Sequence, residues 1–135
     1  MTEPGTLRSY RPDPSRLGRP ETWRRATASA EMHTDSIVVT VTGELDASNA
    51  QDLARYVERH SFATTRLFVD LRDVTFCSTA GLAMLRRLDH QYAQSNSRWW
   101  LLPSPAVRKL LRVCGAQDLP QLESLDMRST LPELV

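Results

Sequence analysis

Asp73-Val74-Thr75-Phe76-Cys77-Ser78-Thr79-Ala80-Gly81-Leu82 is the stretch that decides the fold. Its first half reads as the end of a buried strand. Its second half reads as a tight turn carrying two hydroxyls, followed by the first turn of a helix. A hydroxyl at a helix start has two readings. Ser and Thr are ordinary N-cap residues that satisfy free backbone donors. The same place also accepts negative charge, because free N–H groups and the helix dipole point at it. A hydroxyl there can therefore be phosphorylated without breaking the fold.

Upstream, Arg66-Leu67-Phe68-Val69-Asp70-Leu71 is short and mostly apolar, as expected of a strand covered by helices. Downstream, Leu82, Leu85, Leu88 and Tyr92 form a helical stripe, with Arg86, Arg87, Asp89 and Gln94 facing out. Arg98-Trp99-Trp100-Leu101-Leu102 is a further strand, whose alternation places the two Trp side chains on opposite faces. Ser104-Pro105 then opens a helix with an N-cap and a first-turn proline. Val107, Leu110, Leu111 and Cys114 are its expected buried stripe, and Gly115 its stop. Leu119–Leu125 reads as a last strand or a loop, and Ser129–Val135 as a last helical turn.

Toward the N-terminus, Ser36–Thr42 is β-branched almost throughout and reads as a strand closed by Gly43. Ser48 with Gln51 forms a capping box, and Asp46 competes as a cap. Ala50, Leu53, Ala54 and Val57 fall on one face of the helix behind it, which ends near His60. Arg25–Met32 reads as a first strand. Residues 1–22 carry four prolines and no apolar periodicity, a flexible tail, with Trp23 as the first residue able to dock on the domain edge. The expected organisation is a tail over 1–24 and one α/β domain over 25–135. Strand and helix alternate, which predicts a mixed sheet of four to five strands with helices packed mainly on one face.

At 135 residues the chain is long enough for one real core. Its 41% hydrophobic and 24% charged residues are those of an ordinary soluble domain. A net charge of +1 gives no pull toward nucleic acid or an anionic membrane, although residues 1–25 hold six Arg against three acids. No secretory or membrane-spanning run is present, so a reducing cytoplasm with free cysteines is expected. Cys77 and Cys114 belong to no CxxC pair, and both read as packed thiols.

Enzyme signatures are absent: GxGxxG, GxxxxGK[ST], GxSxG and HExxH do not occur. His33, His60 and His90 are about 30 residues apart, which is not metal-ligand spacing. A hydrolase built on Ser78 or Thr79 needs a base and an oxyanion hole, and no local base accompanies them. Asp46 and Asp70 could pair as acid and base, but each has a simpler reading, Asp46 as a cap and Asp70 as a strand-end acid near the turn. No enzyme activity, metal or cofactor is expected.

Three segments resemble one family. Gly43-Glu44-Leu45-Asp46-Ala47-Ser48-Asn49 resembles the first signature of the STAS domain, in particular of the bacterial anti-sigma factor antagonists. Leu67–Phe76 followed by Ser78-Thr79-Ala80-Gly81-Leu82 is similar to the second, and Pro103–Leu111 to the third. The resemblance implies partner switching. The unphosphorylated antagonist binds an anti-sigma factor that is also a serine/threonine kinase of the GHKL type, which frees the sigma factor. The kinase then phosphorylates the antagonist and releases it, and a protein phosphatase resets the cycle. Any ATP belongs to the kinase, and neither nucleic acid nor membrane is a direct partner. The family motif is usually Asp-Ser-Ser/Thr-Gly, and the matching positions here are Ser78-Thr79-Ala80-Gly81. Thr79 thus occupies the acceptor position, with Ser78, standing where Asp usually does, as the alternative. Asp46, Ser78, Thr79, Ala80, Gly81 and Leu82 are the partner-binding residues that the resemblance implies. A STAS scaffold or small-ligand sensor without phosphorylation is the alternative reading.

Overall fold

The computed structural model describes residues 20–61 and 65–125. Most of the tail expected over 1–24, and the helical turn expected at Ser129–Val135, lie outside those residues. Five strands form one sheet in the order β1 (Glu21–Trp23), β2 (Ala26–Met32), β3 (Ser36–Leu45), β4 (Arg66–Cys77), β5 (Arg98–Pro103). The first two pairings are antiparallel and the last two parallel, so the sheet is mixed. Helices α1 (Ala50–Ser61), α2 (Thr79–Ala93) and α3 (Pro105–Val113) follow β3, β4 and β5.

All three helices bury their apolar stripes in one cluster on one face of the sheet. Leu53 and Val57 of α1, Leu85 and Leu88 of α2, and Val107 and Leu111 of α3 meet Val39, Val41, Leu67, Val69 and Leu101 there. The opposite face carries a smaller cluster of Val38, Phe68 and Leu102, covered by Trp100, Leu122 and Leu125. The two neighbouring tryptophans divide as strand alternation requires. Trp99 is buried on the helix face, its indole donating to Asp89 at 2.9 Å, and Trp100 stacks on Phe68 with ring centroids 5.1 Å apart. Ser104 caps α3 by accepting the Val107 amide at 3.1 Å, with Pro105 at the first helical position. Residues 120–122 run beside β5 through a single parallel bridge, Leu101 to Gln121, so this stretch is an irregular edge segment.

Several expectations are corrected. Residues 21–23, assigned above to the tail, form β1, and Trp23 packs edge-on against Tyr56 of α1 with centroids 5.5 Å apart. Cys114 is exposed, because α3 ends at Val113 and Cys114 is its C-cap, turned out of the stripe. Cys77 alone is a packed thiol. Asp70 is not at a strand end: β4 continues seven residues past it to Cys77.

The turn joining β1 to β2 is held against the end of β3. Glu44 donates its amide to the Arg25 carbonyl at 2.9 Å. A Cβ on Gly43 would overlap that carbonyl, and Gly43 sits at φ +102°, so glycine is required twice over at this position.

Candidate functional site

Because β3, β4 and β5 run parallel, all three helices start at the same end of the sheet, beyond the C-terminal ends of those strands. The hydroxyl turn lies at that end. The β3–β4 ladder ends with Leu45 opposite Cys77, and the Ser78 amide extends it by donating to the Leu45 carbonyl at 2.9 Å. Ser78 is extended (φ −91°, ψ 178°), and its Oγ accepts the Ala80 amide at 3.1 Å. Ser78 is therefore the N-cap of α2. Thr79, the first helical residue, is exposed.

The rest of the turn is packed tightly. A Cβ on Gly81 would lie 2.6 Å from Cys77 Sγ and 3.4 Å from Leu45 Cβ, so α2 begins where it does because residue 81 has no side chain. Burial pushes the Cys77 thiol up to about 11, which keeps it protonated and inert. Gly81 and Leu82 are buried and Ala80 is half-buried, so Gly81 and Leu82 position the turn while Thr79 faces outward. Phe76, opposite Glu44 in the ladder, is 50% exposed, unusual for so large an apolar side chain.

Asp46 follows Leu45 and organises the neighbouring loop. Its Oδ1 accepts the Ser48 hydroxyl at 2.5 Å and the Ser48 amide at 2.9 Å. Its Oδ2 accepts Arg25 Nη2 at 2.7 Å, while Arg25 Nε donates to Glu44 Oε1 at 2.8 Å. The Ser48 hydroxyl and amide, joined by Arg25, hold the Asp46 carboxyl below the usual carboxylate range. The capping box expected of Ser48 and Gln51 does not form. The Ser48 hydroxyl donates to the Asp46 carboxylate, a charged acceptor two residues back, and the Gln51 side chain accepts from Arg55 at 3.5 Å.

Two residues here escaped the sequence reading. Asn49 is buried and closes the loop, donating to the Glu44 carbonyl at 2.9 Å and the Trp23 carbonyl at 3.3 Å, and accepting the Asp46 amide at 3.0 Å. Only its place beside Asp46 in the first signature hinted at this. Arg25 is about twenty residues away in sequence, and no local pattern marks it.

Asp46 and Asp70 do not form an acid–base pair. Asp46 belongs to Ser48 and Arg25, and Asp70 receives Arg72 Nε at 2.9 Å and Nη2 at 2.8 Å on the sheet face away from the main core. The Ser78 hydroxyl is engaged as an acceptor from Ala80, and His60 Nδ1 lies 2.9 Å from the Tyr56 carbonyl. Among the described residues, no group of three or more His, Cys, Asp or Glu is placed to hold a metal, and no helix is long and apolar enough to cross a membrane.

The STAS domain pattern matches residues 27–133, from β2 past the end of α3. The chain belongs to the STAS domain family. A Mycobacterium tuberculosis relative, osmosensory protein A, is 35% identical over 100 residues, which are 74% of this chain. The chain spans 62% of that relative's length. Among solved structures, an anti-sigma factor antagonist from Mycobacterium paratuberculosis superposes with a TM-score of 0.69 at 25% identity, over 78% of this chain and 92% of its own. The anti-sigma factor antagonist SpoIIAA shares the fold in its unphosphorylated form, with a TM-score of 0.66 at 20% identity over 79% and 96% of the two chains. Bacillus SpoIIAA in the phosphorylated form does so too, with a TM-score of 0.61 at 19% identity over 80% and 99%.

Proposed function

We propose that this STAS domain is an anti-sigma factor antagonist that works by partner switching. Unphosphorylated, it binds an anti-sigma factor that is also a GHKL-type serine/threonine kinase. That kinase transfers the terminal phosphoryl group of its ATP to the Thr79 hydroxyl, leaving ADP and releasing the hydroxyl proton. The complex then separates, and a protein phosphatase hydrolyses the ester to restore the antagonist. The domain acts as the kinase's substrate and is no enzyme itself. Both binding states are set in the cytoplasm, where the sigma factor is.

The observation that carries this reading is the division of labour between the two hydroxyls. Ser78 spends its oxygen on the helix cap, whereas Thr79 stands exposed at the first helical position. A phosphate on Thr79 adds about −1.5 to −2 charges at pH 7. The start of α2 tolerates that charge, but a partner surface closed over Phe76 and the turn does not. A loss of about 3–4 kcal/mol weakens a complex roughly 10²- to 10³-fold, which is enough for a switch. The test is phosphosite mapping on the chain recovered from its native cells, as wild type, Thr79→Ala and Ser78→Ala. Phosphate on Thr79 in the wild type and in Ser78→Ala, and none in Thr79→Ala, supports the reading. Phosphate on Ser78 alone moves the site by one residue.

One observation favours a second reading, a scaffold or small-ligand sensor without phosphorylation. Ser78 stands where the family usually has Asp, and here it is a working helix cap. The name of the osmosensory relative fits such a sensor. No phosphate on either hydroxyl in any growth condition would select it.

A further inference from the structure

We infer that Arg25 is the phosphate-pairing residue of the switch: when Thr79 carries phosphate, the Arg25 guanidinium leaves Glu44 and Asp46 and pairs with it. The inference rests on the proposed modification of Thr79. Two features place both groups at the same end of β3, Arg25 on its β2 side and Thr79 on its β4 side. The first is the ladder. Glu44 lies opposite Phe76, Leu45 lies opposite Cys77, and the Ser78 amide binds the Leu45 carbonyl at 2.9 Å. Asp46 therefore runs on beside the Ser78–Thr79 step, and the first turn of α2 lies against the same backbone, as the 3.4 Å approach of a residue-81 Cβ to Leu45 shows. The second is the β1–β2 turn. The Arg25 carbonyl takes the Glu44 amide at 2.9 Å through the space that Gly43 leaves open, so the Arg25 backbone is pinned at the end of β3.

The pinned residue carries a side chain that lies mostly in solvent. Arg25 is 63% exposed along its side chain and is held only by ion pairs at 2.7 and 2.8 Å. Before modification, one guanidinium serves two carboxylates. After it, a dianion with three acceptor oxygens stands at the same end of β3, and the planar fork of Arg matches phosphate better than two separated carboxylates. The exchange strips Glu44 and Asp46 of their cation. Modification of one hydroxyl then redistributes charge from Glu44 to Thr79, so that a docked partner meets two unpaired carboxylates where it had met an ion-paired cluster.

The test installs phosphothreonine at position 79 of the full chain by genetic code expansion and follows the phosphate by ³¹P NMR as pH is varied. In the otherwise wild-type chain the second ionisation falls below the ordinary value of about 6. Arg25→Gln raises it by about half a unit or more, the effect of one nearby exposed charge. Arg25→Lys restores part of the shift. Arg59→Gln, which removes a cation paired with Glu21 at 2.7 Å, leaves it unchanged. In the unsubstituted chain, the Arg25 Nε–H signal moves when the phosphate is present. An Arg25→Gln value equal to the unsubstituted one, or lower, or matched by Arg59→Gln, overturns the inference. The phosphate is placed without any kinase, so this failure leaves partner switching standing, and absence of phosphate on Thr79 in cells leaves this result standing.

Discussion

The Ser78 amide donates to the Leu45 carbonyl at 2.9 Å, one step beyond the last residue pair of the β3–β4 ladder. This bond holds Ser78 extended, so that its hydroxyl reaches forward to cap α2, and Thr79 follows as the exposed first residue of that helix.

Neighbouring hydroxyls should therefore differ in what they contribute to stability. Ser78→Ala removes the acceptor of the Ala80 amide and should cost about 1 kcal/mol. Thr79→Ala removes an exposed side chain and should stay within about 0.5 kcal/mol of wild type. Urea unfolding of the two variants decides it. Equal losses would mean that the cap is shared.

The start of α2 depends on Gly81 lying against Cys77. Gly81→Ala places a methyl 2.6 Å from the sulfur and should destabilise by about 1–3 kcal/mol. Cys77→Ala removes that sulfur, so the double variant should lose less than the sum of the two single losses. Strictly additive losses would show that the strain falls elsewhere.

Much of the fold is legible in the sequence because its signals are local. The stripes of α1 and α2, the Ser104-Pro105 start of α3 and the split of Trp99 from Trp100 all follow from spacing within a few residues. The misses have long-range causes. β1 is three residues long, and its turn places Arg24, not a glycine, at φ 59°, so no turn signal marks it. β4 buries Leu71, Val74 and Cys77 at intervals of three, because two register shifts against β3 break the strand alternation that would have extended it past Leu71. In the site, the hydroxyl turn and Asp46 stand out in the motif. Arg25 and Asn49 do not, since their roles exist only once β2, β3 and the loop before α1 are assembled.

The two thiols should separate cleanly under alkylation. Cys114 is exposed and Cys77 is buried, with its thiol pushed up to about 11. Iodoacetamide at pH 8 on the folded chain should label Cys114 and spare Cys77, with both labelled in urea. Rapid native labelling of Cys77 would show that the hydroxyl turn opens readily.

Acid should weaken the fold partly through Asp70. Burial pushes its carboxyl up, but the Arg72 side chain, the Arg72 amide and the Arg72 charge together outweigh burial and leave it lowered. A carboxyl lowered in the folded state contributes stability above its unfolded value of about 3.9, and that contribution is lost as pH falls through the lower folded value. Asp70→Asn should be less stable at neutral pH and show a flatter fall in stability below about pH 4. Asp46 and Asp118 are lowered as well, so some slope should remain. Unfolding free energies measured at successive pH values check this, and parallel curves for the two proteins would rule it out.

In the proposed cycle, charge on Thr79 separates this domain from an anti-sigma factor kinase. The most direct measurement is a pull-down from native lysate with wild type and Thr79→Glu as parallel baits, identifying by mass spectrometry what each retains. Partner switching requires a GHKL-type kinase held by wild type and lost by Thr79→Glu. Equal retention of that kinase by both baits would contradict it and leave the hydroxyl turn as a helix cap.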